Sequence, residues 1–524
     1  MGKQVLIVGA GLAGMVAARA ARRAGVNVLL IDRGIPGIGT NTALANCMFA
    51  ITTASYTTDD YVRDVLETGK KINRLPYVRQ VAEGASGIVP FLRDLGLEVA
   101  ELAGFCFVRA SSPEVIPGVT LARRMAAEVR SLSGIEILSG FHVTALLRDG
   151  GRIHGVEGFD KKGKQRILHA PAVILACGGA GAIYGRNDNT RTILGQGYHL
   201  AARAGLELRD MEFVQSYPIV IAEPGLPSMM IYPPYPDEGK LLNADGEDVI
   251  EKHGLGNINA AIRKKRDAFS VLLMEESRKG PVVMDLRRVP GSAWQKHPLS
   301  LLNRLHFDAR RRPVRIAPAV HFCMGGVPID GEGKTALDGL YACGEMVWGL
   351  HGANRMGGNA LTECVVSGTM AGCGAAKGAL SSKPVVAGGK EFGPASHSVR
   401  RDTDVDFMEM RRTLTGLAWR CAGIMRSGES MKEGLREIIG IEKALRDARV
   451  DSLPERIARE DLVSAAFVVG AILEASLGRK ESRGTFIRSD YPLEDDANWL
   501  KNSVITCDEA GDRWHLRFEQ AMSG

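Results

Sequence analysis

The chain has 524 residues, 45% hydrophobic and 24% charged, which excludes a disordered protein and is too long for one simple core. Its net charge of +6, without a long Lys/Arg run, gives no footing for nucleic-acid binding and reads first as an ordinary solvated surface. Nine cysteines, scattered and without a CxxC pair, support neither a disulfide framework nor a cysteine-only zinc or iron–sulfur site.

In chain order, Met1–Gln4 runs straight into Val5–Val8 with no secretory-signal succession, and no apolar run reaches the ~18–20 residues of a membrane span. A cytoplasmic chain with no direct membrane span and no metal ligands of its own is expected. Residues 4–33 read as strand, glycine-rich turn, helix and strand. Gly9 permits the tight turn, Gly11 lets backbone approach a pyrophosphate, and Gly14 lets the helix pack on the sheet. The pyrophosphate would sit on the helix N-terminus, where free N–H groups favour negative charge. Asp32, 18 positions beyond Gly14, would accept from ribose hydroxyls. This motif leaves open whether the dinucleotide is FAD or NAD.

Glycine is enriched, with 62 copies or about 12% against a typical ~7%, and it clusters in short motifs. Two further strand-plus-glycine units lie at Ala172–Gly181 and Gly339–Glu345, and their unbroken apolar runs are those of buried parallel strands. Three such units far apart in sequence imply one α/β domain interrupted by insertions. The expected division is a dinucleotide domain over 1–217 and 319–380, with an inserted domain over 218–318. A Gly/Pro/Ser-rich linker follows over 381–401, then a helical domain over 402–500 and a tail over 501–524.

The later segments resemble the fumarate reductase and succinate dehydrogenase flavoprotein family along most of the chain. Ala176–Gly181 with Gly195-Gln196-Gly197 is similar to its ATGGAG…GDG stretch, and Arg209–Gln215 to its R-D-M-E-F-x-Q segment. His321–Gly326 is similar to H-Y-T-M-G-G, and His351–Asn359 to H-G-A-N-R-L-G-x-N. Arg479–Gly484 and Asp490-Tyr491-Pro492 resemble R-x-E-S-R-G…D-x-P. The resemblance implies a Rossmann-like FAD-binding domain of α/β class with an inserted α+β capping domain and a C-terminal helical domain. It implies FAD held by Gly9, Gly11, Gly14, Asp32, Thr40, Asn41, Thr42, Ala176, Gly178, Gly179, Glu345, Asn359 and Leu361. It also implies hydride transfer between flavin N5 and an activated C–C bond, with electrons exchanged through an iron–sulfur partner protein.

In that family an anionic small-molecule substrate is held by Arg355 and His321, and Arg266 is the matching proton donor, with Arg263 a nearby competitor. An arginine acid is demanding: releasing its proton near neutral pH costs about 7 kcal/mol. The family re-protonates it through a Glu and an Arg. Here those positions align with Tyr232 and Tyr235, and a second substrate-binding His is Tyr217. Phenols donate one hydrogen bond and present an aromatic face, but they relay protons to an arginine poorly. Asn41 stands where respiratory relatives link FAD covalently through a His, so FAD is expected to be non-covalent. The expected reaction is on an anionic substrate other than fumarate, in a larger redox complex. The alternatives are a true soluble fumarate reductase and an electron-transfer flavoprotein with a degenerate substrate site.

Overall fold

The computed structural model describes residues 3–382, 403–508 and 514–521. Its centre is a five-stranded parallel sheet in the order Leu340–Ala342, Ala172–Leu175, Gln4–Val8, Asn27–Asp32 and Ile135–Ser139. The three strand-plus-glycine units thus lie side by side, as their apolar runs require. The edge strand Ile135–Ser139 escapes sequence reading because its residues are half-buried or exposed.

The helix Leu12–Arg23 packs along the helix Asn359–Ser381. A Cβ on Gly368 would lie 2.6 Å from the Ala13 carbonyl oxygen, and one on Gly372 would lie 2.4 Å from that of Ala17. These helices therefore touch backbone to backbone, which fixes how the first glycine turn meets the sheet. The second helix runs to Ser381, the first residue of the expected linker, and residues 383–401 of that linker lie outside the described residues.

The inserted unit has its own core, including Ile219, Leu241, Phe269, Met284 and Ile316. Its four-stranded antiparallel sheet runs Val214–Ile221, Val314–Cys323, Val282–Asp285, Lys240–Leu242, with the helix Ile258–Glu276 packed on it. The expected limits at 218 and 318 cut two strands that pair from Val214↔Cys323 to Ile221↔Ile316. Two continuous strands therefore carry the chain into and out of the cap.

Beyond the linker the helices Phe407–Ala422, Gly428–Asp447 and Leu453–Gly478 pack together. The last is long and apolar enough by length and composition alone to cross a membrane, and 72% of its apolar stretch is buried inside the protein. The expected tail is structured: Lys501–Cys507 and Trp514–Gln520 form an antiparallel pair that extends to Leu208–Arg209. The Arg479–Gly484 segment supplies a buried ion network. Arg479 pairs with Glu212 at 2.7 Å and Glu481 at 2.9 Å, all three side chains fully buried, and Glu481 also holds Arg483 at 2.8 Å. This network ties the helical unit to the Arg209–Gln215 segment that leads into the cap.

Candidate active site

A continuous cavity of about 2600 Å³ runs from the glycine turn to the cap, more than the ~300–1,000 Å³ of a site for one small ligand. At one end Gly9 takes φ +107°, and a Cβ there would lie 2.3 Å from the Ala176 carbonyl oxygen. Gly11, by contrast, faces open space, its nearest neighbour being Thr42 Oγ1 at 3.8 Å, so a bound group can come against the bare backbone. Thr42 Oγ1 accepts from the Leu12 N–H at 3.1 Å and closes the rim. Asp32 accepts from the Ala10 and Gly34 N–H groups at 2.7 and 2.6 Å, which fixes its carboxylate at the cavity edge. A bare turn, a helix N-terminus and a fixed carboxylate in this order fit the pyrophosphate and ribose of FAD.

Thr40, Asn41, Ala176, Gly178, Glu345 and Leu361 also line the cavity. Gly14, Gly179 and Asn359 do not, and act from behind it. A Cβ on Gly14 would meet the Gly9 carbonyl oxygen at 1.9 Å, and one on Gly179 would meet Glu345 Oε1 at 2.1 Å. Asn359 is fully buried, with its Oδ1 accepting from Tyr61 at 2.8 Å. Burial pushes the Glu345 carboxyl up to about 7, against the Cys323 N–H that donates to it at 3.1 Å. Asn41 is held on both sides: its amide donates to Asn189 Oδ1 at 2.5 Å and its carbonyl accepts from the Thr190 N–H at 3.0 Å.

At the other end Arg266, Arg355, His321, Tyr217 and Tyr232 line the same cavity. Arg266 reaches from the cap helix and donates to Asn354 Oδ1 and to the Arg355 carbonyl, both at 2.9 Å. Arg263 on the same helix also lines the cavity but is more exposed, whereas Arg266 is fixed by these two bonds. Arg355 is buried, donates from Nε to Gln215 Oε1 at 3.1 Å and lies 4.7 Å over the Phe322 ring. Burial, then the charge of Arg266, pushes its guanidinium down to about 9. His321 Nδ1 meets Asp188 Oδ2 at 2.8 Å, which leaves Nε2 as the ring's other polar atom.

Each of these side chains is oriented by a partner. The Tyr217 hydroxyl meets that of Tyr235 at 2.9 Å, so Tyr235 stands behind it rather than in the cavity wall. Tyr232 meets His297 Nδ1 at 3.1 Å, and burial pushes that imidazole down. Asp188 comes from the 186–190 loop, and Asp267 accepts from Asn354 Nδ2 at 2.7 Å. Four of these partners do not stand out as site residues in the sequence. Asp267 and Asn354 at least adjoin Arg266 and Arg355, whereas Asp188 and His297 are lone residues in loops, with no spacing to mark them.

Comparisons with known proteins show the family and the fold. An FAD binding domain model matches residues 4–361, and a fumarate reductase flavoprotein C-terminal model matches 411–523. A fumarate reductase (CoM/CoB) subunit of Methanothermobacter marburgensis is 29% identical over 96% of each chain. An L-aspartate oxidase of Agrobacterium fabrum is 30% identical over 94% of this chain and 91% of its own. An E. coli quinol fumarate reductase structure superposes with a TM-score of 0.86 at 24% identity, covering 99% of this chain and 97% of that one.

Proposed function

Because this chain belongs to the fumarate reductase and succinate dehydrogenase flavoprotein family, we propose that it reduces or forms an activated C–C double bond in an anionic substrate other than fumarate. It is an FAD-dependent oxidoreductase, and bound FAD supplies the two-electron chemistry. The carrying observation is that Arg266 and Arg355, bonded to each other, and His321 line one cavity with Tyr217 and Tyr232.

Arg355 and His321 bind the carboxylate. Charge-assisted hydrogen bonds of this kind are worth ~1.5–3 kcal/mol each. His321, its Nδ1 held by Asp188 at 2.8 Å, has Nε2 left for the substrate. Arg266 gives the proton to the carbon next to the one that accepts two electrons. Its bonds to Asn354 and the Arg355 carbonyl fix its position against the bound carboxylate. Binding an anion also relieves the repulsion between two half-desolvated guanidiniums. Asn41, engaged on both polar atoms and lacking a nucleophilic ring nitrogen, leaves FAD non-covalent. The electrons come from an iron–sulfur partner. The name of the M. marburgensis relative, which marks it as one subunit of a larger enzyme, supports this reading.

The test is to reduce the holoprotein without oxygen and follow flavin reoxidation with enoates, fumarate and L-aspartate-derived iminosuccinate as separate additions. Reoxidation by an enoate faster than by fumarate supports the reading. Fast reoxidation by fumarate, or none by any enoate, contradicts it.

A further inference from the structure

We propose that Tyr217 meets the substrate as a hydrogen-bond acceptor, so that the substrate carries one carboxylate and, at its other end, an uncharged group with an N–H or O–H donor. This rests on the reading of the cavity as an enoate site and names the class of enoate.

Counting protons sets the direction of each hydrogen bond. The Tyr235 hydroxyl donates to the Ile231 carbonyl. A phenol has a single proton, so Tyr235 has none left for Tyr217, whose oxygen lies 2.9 Å away. The Tyr217 proton must therefore go to Tyr235, and the chain of donation runs from Tyr217 to Tyr235 to Ile231. Burial holds both phenols above their ordinary range, so both keep their protons. What Tyr217 retains for the cavity that it lines is an oxygen lone pair and a ring face.

Tyr232, the other phenol on this wall, is already engaged with His297 Nδ1 at 3.1 Å. Arg355 and the cap residue Arg266 bonded to it supply the fixed guanidiniums, and His321 lies beside Tyr217 with ring centroids 6.0 Å apart. A carboxylate held by these three groups leaves the Tyr217 oxygen to the rest of the substrate. A second carboxylate would meet the Tyr217 lone pair in a buried setting, where an anion facing an acceptor suffers both repulsion and unreplaced desolvation. An amide, hydroxyl or ring N–H at that end supplies the proton that Tyr217 lacks.

Three probes of nearly equal shape separate these cases: fumarate, its monoamide, and its monomethyl ester. Each takes up two electrons and two protons across its C–C double bond from the reduced holoprotein. The monoamide is expected to exceed fumarate in kcat/KM by at least about 100-fold, and to exceed the ester, which has no donor, by about 10-fold. In the Tyr235→Phe variant the Tyr217 proton is released to the cavity, and the monoamide-to-fumarate ratio falls at least about 10-fold. Preference for fumarate in the wild type, or an unchanged ratio in Tyr235→Phe with flavin retained, overturns the proposal.

Equilibrium binding of the saturated analogues succinamate and succinate, followed by the flavin absorbance, gives a readout independent of turnover. Tighter succinamate binding without any enoate turnover sinks the reaction assigned above but upholds the acceptor role of Tyr217. Tighter succinate binding, or binding of neither, overturns that role.

Discussion

Arg266 of the cap donates to the backbone carbonyl of Arg355, 2.9 Å away, and so joins the two units across the cavity while setting one guanidinium beside another. Burial and this neighbour together depress Arg355, which means that the free site holds more positive charge than its surroundings stabilise. An anion removes that imbalance.

A bound substrate analogue should therefore stabilise the holoprotein by about 2.7 kcal/mol at 100 times its Kd. Differential scanning calorimetry with and without the tightest-binding carboxylate measures this. Arg355→Gln should lose the ligand-induced rise in Tm and keep its flavin; an undiminished rise would show that Arg355 is not the anion's partner.

The hydrogen bonds that fix Asn41 to Asn189 and Thr190 leave no group there to link the cofactor. Acid precipitation should send all of the flavin into the supernatant and leave a colourless pellet. A yellow pellet would show a covalent link.

Arg479 neutralises Glu212 and Glu481 where none of the three reaches solvent. Arg479→Ala should cost about 3–5 kcal/mol in urea unfolding, because it leaves the buried Glu212 carboxylate without its ion partner, while Glu481 keeps Arg483. The exposed pair of Arg93 with Glu101 is the comparison, and Arg93→Ala should change stability by no more than about 0.5 kcal/mol. Equal effects would mean that the buried network is dispensable.

His199, buried against Phe467 and Ser464, is pushed by burial from 6.5 down to about 3. Below its unfolded value the unfolded chain takes up a proton that folded His199 refuses. Its contribution is thus intact above pH ~6.5 and is lost as pH falls, by about 1.4 kcal/mol per unit. Glu345, raised to about 7, works the other way, favouring the fold as pH falls from ~7 toward its unfolded value. His199→Gln should therefore lose about 2 kcal/mol less than the wild type between pH 7 and 5. Parallel pH profiles for the two proteins would contradict this.

The dinucleotide end was legible in the sequence because its determinants are contiguous. Gly9, Gly11 and Gly14 lie on one turn between an apolar strand and its helix, and the other core strands are unbroken apolar runs that only a covered parallel sheet accommodates. The other end of the cavity was legible through motif residues, since Arg266, His321 and Arg355 all line it. Their surroundings were not: Asp188 and His297 reach the site only through the way separate loops fold together, and Tyr235 stands behind Tyr217 for the same reason. The strands Val214–Ile221 and Val314–Cys323 are largely apolar and run across the expected cap limits without a break, so no change in composition marks the crossing. Motif position alone does not tell a residue that lines the cavity, such as Leu361, from one buried behind it, such as Asn359.

Whether Arg266 delivers the proton at a working substrate site is tested most directly by Arg266→Gln. The variant holoprotein, reduced without oxygen, is mixed with the best-reacting enoate while flavin absorbance and flavin content are measured. The expected result is full flavin content with a reoxidation rate at least about 100-fold lower. A rate equal to that of the wild type, with flavin retained, would contradict it.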